Sequence, residues 1–279
     1  METGPASPTG TVSGRDGTFI AYWTSGAGPA VVLVHGTTSD HTTMNEIVPH
    51  FAKSRTVTTF DRRGRGESGD GSTYDFEQEL DDAAAVFAEA ATRQDGPIDV
   101  FSHSFGAFVA LGAAARSPHV RSVVAYSPGF GAEYPPGSLE RIETATASDD
   151  LDTALEVVFR EVIGMADDEI AQMRESPVWA VRVAAAGTVG RECRADEAFL
   201  REYADTLRGL SIPVLVVSGE TNTLPKRQIA TQLADAIPGA ELYEMPGQGH
   251  VAHHFAAAEL SALVLDFYER ARTTDAIAR

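Results

Sequence analysis

Short apolar runs rich in Val, Ile and Phe recur along the chain, each bounded by Gly, Pro or Asp, with longer Ala-rich segments of helical spacing between them. A chain that alternates this way folds as a mainly parallel sheet covered by helices on both faces, because parallel neighbours need a crossover between them. The strands expected are Phe19–Trp23, Val31–His35, Thr56–Phe60, Ile98–Ser102, Val120–Tyr126, Val214–Ser218 and Glu241–Met245. Helices are expected at Asp40–Phe51, Phe76–Thr92, Phe105–Arg116, Lys226–Ala236 and Ala257–Ala271. No repeat of fixed period interrupts this pattern.

The alternation fails once. Between Tyr126 and Val214 no strand pattern occurs, and Leu151–Ile163, Asp167–Glu175, Val178–Val189 and Asp196–Leu207 show helical spacing instead. The boundaries expected are therefore an α/β core at 1–128 and 211–279, with a helical cap at 129–210. Since the segment joins two consecutive strands, it belongs at the end of the sheet where the C-terminal loops gather. Ligands bind at that end in open parallel sheets.

With 279 residues and 43% hydrophobic content, the chain can bury a large core. Its formal charge of −18 repels phosphates and anionic headgroups, so neither nucleic acid nor a membrane surface is expected as a partner. The one cysteine, Cys193, excludes an internal disulfide and a cysteine-rich zinc site, and no His, Asp or Glu cluster has ligand spacing. No metal or organic cofactor is expected, and the partner expected is a small-molecule substrate. The start METGPASPTG, rich in Gly, Pro, Ser and Thr, is expected to lack fixed structure. Without a signal-like apolar segment there, the chain reads as cytoplasmic.

The chemistry concentrates at Ser102-His103-Ser104-Phe105-Gly106, between a strand and a helix. Small-x-Ser-x-Gly at such a junction is the pattern of a nucleophile elbow, a tight turn that lifts the serine hydroxyl above the sheet. Ser104 would then stand at a helix N-terminus, where the amide of Phe105 faces a developing oxyanion. Upstream, Val31–Val34 runs into His35-Gly36-Thr37-Thr38, a turn able to aim a second amide, that of Thr37, at the same point. Turn geometry accounts for His35 itself. Downstream, Pro246-Gly247-Gln248-Gly249-His250 follows the last strand, and His250 is favoured over His253 and His254 as the base because a glycine frees its backbone.

Taken with Asp61-Arg62-Arg63-Gly64-Arg65-Gly66-Glu67-Ser68, these motifs resemble the α/β-hydrolase fold superfamily, in its serine-nucleophile branch with a helical cap. The resemblance spans about Gly14 to Ala271 and covers four motifs in the family's order. It implies a serine hydrolase cleaving an ester, thioester or lactone of a small to medium organic substrate, through an acyl-enzyme on Ser104 with His250 as base. Aromatic and aliphatic residues of the cap, among them Phe130, Tyr134, Phe159, Met165 and Trp179, are candidates to line its pocket.

The chain departs from the family pattern at the third member. Where relatives carry Gly-x-x-Asp, this sequence has Gly219-Glu220-Thr221-Asn222; at the alternative acid position it has Ser127. Position favours Asn222 and charge favours Glu220, and Glu220 is the residue expected to orient His250. The missing acid keeps two rivals in view: cofactor-free non-hydrolytic chemistry (a lyase, cyclase or oxygenase) with His250 as base, and a ligand-binding pseudoenzyme.

Overall fold

The computed structural model describes residues 7–131, 134–165, 167–175 and 177–278. Its sheet has eight strands in the order β1-β2-β4-β3-β5-β6-β7-β8. They are β1 (Gly10–Ser13), β2 (Phe19–Gly26), β3 (Ala30–Val34), β4 (Thr56–Phe60), β5 (Ile98–His103), β6 (Val120–Tyr126), β7 (Val214–Gly219) and β8 (Glu241–Met245). β1 and β2 run antiparallel to their neighbours, and every other pairing is parallel. The central strands β3, β5 and β7 are buried along their whole length, as strands covered on both faces must be.

The helices are α1 (Val48–Phe51), α2 (Phe76–Gln94), α3 (Phe105–Ala114), α4 (Ser138–Ala147), α5 (Leu151–Val157), α6 (Asp167–Arg174), α7 (Pro177–Ala184), α8 (Val189–Glu202), α9 (Ala204–Arg208), α10 (Leu224–Ala236), α11 (Ala252–Phe255) and α12 (Ala257–Ala278). Strand residues alternate between two cores. Val32, Val34 and Val100 pack with α2, α3 and α10 on one face, while Val31, Leu33 and Phe101 pack with α1 and α12 on the other.

α4 to α9 form the helical insertion between β6 and β7. It has an apolar cluster of its own, built on Leu139, Ile142, Leu155, Phe159 and Val189. α8 belongs to both bodies: its Cys193 lies in the insertion's cluster, and its Phe199 stacks on Phe108 of α3 at 4.1 Å in the main core.

Several expected elements have different bounds. The helix expected at Asp40–Phe51 is a single tight turn, His41–Met44, followed by α1, because Pro49 sits in the first turn of α1 and forces a fresh start. The segment Val178–Val189 is broken at Ala186–Thr188, where Gly187 interrupts it, and α8 begins at Val189. β1 and α4 carried no signal strong enough to be expected. β1 is four residues long, yet it lies inside or directly after the Gly/Pro-rich start, whose first six residues fall outside those described.

Candidate active site

β5 ends at His103 and α3 begins at Phe105, so a single residue makes the turn between them. That residue is Ser104, held at φ 55°, ψ −130°. Few residues other than glycine adopt this conformation, and the surrounding packing must impose it. Two glycines show how tightly the turn is packed. A Cβ on Gly106 would run into the His35 carbonyl, and one on Gly36 would lie 2.8 Å from the Ser104 Cβ. The His35-Gly36 turn therefore rests directly on Ser104, and Thr37 follows it. Phe105 opens α3, where the first-turn amides have no intrahelical acceptor.

His250 lies on the loop after β8, and three contacts hold that loop. The His103 Nε2 bonds the His250 carbonyl at 2.9 Å, the Tyr126 hydroxyl donates to the Gly249 carbonyl, and the same hydroxyl accepts the Ala252 amide at 2.7 Å. Ser104 and His250 line one cavity, together with Thr37, Arg182 and Lys226. Burial first, then the positive charges of Lys226 and Arg182, hold His250 well below the ordinary histidine pKa, so its ring is neutral near pH 7. His103 is likewise pushed down to about 3, chiefly by burial.

The His250 Nδ1 faces Ser127 and not Glu220. β7 and the Glu220 amide are locked to the end of β8, with Glu220 N bonding the Met245 carbonyl at 3.1 Å; its carboxylate accepts the Gly247 amide at 2.7 Å, on the exposed side of that turn. The Nδ1 of His250 instead lies 2.7 Å from the Ser127 hydroxyl, and the Asn222 amide lies 3.2 Å from the same oxygen. Ser127 stands at the C-terminal end of β6 with φ 43°, which turns its side chain toward the loop. The structure thus brings together beside His250 both positions that the sequence marked as lacking an acid.

The other candidates fall as follows. His35 is buried, its Nδ1 at 2.9 Å from the Gly36 carbonyl and its Nε2 accepting the Arg62 amide at 3.1 Å, which is the structural role expected of it. His253, the rival of His250, is buried in α11 with its ring 4.1 Å from that of His103. Phe130, Tyr134, Phe159 and Met165 line the cavity, whereas Trp179 packs behind Phe159.

Sequence reasoning missed three residues here. Asp196 of α8 is buried and accepts the Phe130 amide at 2.8 Å and the Tyr134 hydroxyl at 2.9 Å, tying the end of β6 to the insertion. Lys226 donates to the Pro128 carbonyl at 2.6 Å. Arg182, from α7, reaches Thr38 at 3.2 Å. No local pattern marks them, since they meet only through the tertiary fold. The structure also gathers Asp40, His41 and Asp61 within 4.8 Å of one another. Each has a protein partner: Asp40 caps Thr42 at 2.8 Å, and Asp61 accepts the His41 amide at 2.7 Å and its ring at 2.8 Å.

Comparison with known proteins decides the family. A family model described as the alpha/beta hydrolase family matches residues 31–263. This chain belongs to the alpha/beta hydrolase family. A solved alpha/beta hydrolase from Sphaerobacter thermophilus DSM 20745 is 31% identical with a TM-score of 0.82, covering 93% of this chain and 100% of that one. The uncharacterized hydrolase YraK of Bacillus subtilis is 34% identical over 105 residues, and the pyrrolizixenacetamide deacetylase of Xenorhabdus hominickii is 35% identical over 107. These two matches span 37% and 38% of this alpha/beta hydrolase, and 38% and 40% of the relatives' own lengths. The 2-(acetamidomethylene)succinate hydrolase of Mesorhizobium japonicum is 25% identical over 81% of this chain and 82% of its own. Among the described residues, no helix is long and apolar enough to cross a membrane.

Proposed function

We propose that the protein hydrolyses an ester, thioester or lactone of a small to medium organic substrate through an acyl-enzyme on Ser104. The observation that carries this reading is the strained backbone of Ser104, φ 55° and ψ −130°, in the lining of a cavity it shares with His250. Ser104 Oγ attacks the carbonyl carbon as His250 Nε2 takes its proton. The oxyanion is met by the amides of Thr37 and Phe105. Collapse expels the leaving group, which takes the proton back from His250. Water then repeats the sequence and frees Ser104. The insertion acts as a cap over this cavity and selects the acyl and leaving groups.

For Nε2 to accept a proton, Nδ1 must carry one, and Ser127 Oγ at 2.7 Å is placed to receive that hydrogen bond. The Asn222 Nδ2 donates to the same oxygen at 3.2 Å, so the two lone pairs of Ser127 Oγ accept from Asn222 and from the His250 ring. A neutral Asn222–Ser127–His250 cluster thus fixes the tautomer without a carboxylate.

Turnover across a panel of acyl esters, thioesters and lactones, wild type beside Ser104→Ala, tests the proposal. Hydrolysis of at least one class is expected, and Ser104→Ala should remove it. A second reading is favoured by the neutral partner of His250, which leaves the imidazolium without a countercharge: cofactor-free non-hydrolytic chemistry with His250 as base. Turnover that survives Ser104→Ala and is lost in His250→Ala would select that reading.

A further inference from the structure

Arg182 brings into the cavity a positive charge that, among the described residues, no ion pair holds. Its side chain is 5% exposed, and its hydrogen-bond partner is neutral, the Thr38 hydroxyl at 3.2 Å. Its Nε is buried without a partner, and the guanidinium lies 5.4 Å over the Phe159 ring. Among the described residues no carboxylate lies within ion-pair distance of it. The charge of Asp40 offsets part of that of Arg182 through space without pairing with it, as that of Asp196 does for Lys226, which also donates to the Pro128 carbonyl at 2.6 Å. A guanidinium that stays buried and unpaired costs several kcal/mol, roughly the desolvation of one ion, and such a group is retained where something else supplies the countercharge. The chain as a whole is strongly acidic, so the unpaired cation is a local exception.

We propose that Arg182 is a specificity-determining residue that binds a carboxylate of the substrate. The inference rests on the reading of Ser104 and His250 as the reacting pair, since all three line the same cavity. Thr38, which holds Arg182, adjoins Thr37, so the carboxylate sits on the oxyanion side of the reacting carbonyl. The planar fork of a guanidinium matches a carboxylate edge to edge, and the enclosed cavity favours a compact acid over a bulky anion.

The test measures binding without turnover. Butyrate and its neutral isostere butyramide are titrated calorimetrically into the Ser104→Ala protein, which cannot consume either. Butyrate is expected to bind at least about tenfold more tightly, the size of effect a charge-assisted hydrogen bond gives. In Ser104→Ala/Arg182→Gln the preference should vanish, and Arg182→Lys should restore part of it. Should the Gln variant not fold, protection of the wild-type protein against a fluorophosphonate by butyrate and not by butyramide reads the same contact. Equal binding of the two probes, no binding of butyrate, or a preference that survives Arg182→Gln overturns the proposal. A butyrate preference in a protein that hydrolyses nothing would sustain the anion site and reject the hydrolase reading.

Discussion

The floor of the cavity and its roof are held by different forces. The floor is set by backbone geometry and buried bonds: the Ser104 turn, the His103 and Tyr126 contacts on the His250 loop, and the Ser127–Asn222 pair. α8 belongs with it. Glu192 of α8 is fully buried and pairs with Arg62 at 2.9 Å and with Arg65, while Arg62 also binds Glu79 of α2 at 2.6 Å. The roof, from α5 to α7, offers the cavity apolar side chains such as Val158, Phe159 and Met173, and its visible ion pairs, Arg174–Asp152 and Arg160–Glu156, are exposed. Exposed pairs contribute about 0–1 kcal/mol, whereas breaking a buried one costs about 3–5 kcal/mol. The proposed reaction geometry thus rests on buried, hydrogen-bonded parts, and the proposed choice of substrate on parts whose ion pairs are exposed.

Substitutions in the floor and in the roof should have different effects. The largest effect is expected at Ser104→Ala, which should lower kcat by about six powers of ten, the cost of losing the nucleophile in a worked serine hydrolase; kcat near wild type would move the chemistry off the floor. Next is Glu192→Ala, which leaves Arg62 and Arg65 one buried countercharge short and should cost about 3–5 kcal/mol in urea unfolding. A value under 1 kcal/mol would put α8 with the roof. Ser127→Ala should lower kcat/KM by about ten- to a hundredfold through loss of the Nδ1 partner, with stability little changed. On the roof, Phe159→Ala should redistribute rates among acyl groups by about tenfold while retaining the fold.

Smaller still is the pH effect. His250 must be neutral to act as base, and its pKa lies well below 6.5, so kcat/KM should stay level as pH falls through 6.5 and drop only below it. Removing a nearby positive charge eases protonation of the ring, so Lys226→Met should move that acid limb upward. A limb at 6.5 in the wild type would mean that His250 is more solvated than its packing indicates. Smallest is Glu220→Gln, expected to change turnover by less than about a factor of two, as for exposed substitutions generally.

The doubly covered sheet was legible because burial on both faces leaves near-continuous runs such as Val31–Val34, and the helices keep their period over many residues. The turn at Ser104 and the loop carrying His250 were legible because a sharp strand-to-helix turn and a glycine-flanked loop each need particular small residues nearby. The third member was not. Ser127 and Asn222 lie 95 residues apart and meet only when β6 and β7 pair, and Glu220 looked attractive on charge alone. Nor did sequence mark Arg182 or Glu192, since a helical arginine or glutamate looks the same whether it faces solvent or a core. Only the packing of the insertion distinguishes them.

The central claim is that Ser104 is activated by a histidine held through Ser127 and not through Glu220. The rate of fluorophosphonate labelling, followed by intact mass and mapped by peptide, reads that claim in one assay. The account predicts a single label on Ser104, abolished in His250→Ala, slowed about ten- to a hundredfold in Ser127→Ala, and unchanged in Glu220→Gln. A label on another serine, or a Glu220→Gln variant slowed while Ser127→Ala reacts at the wild-type rate, would contradict it.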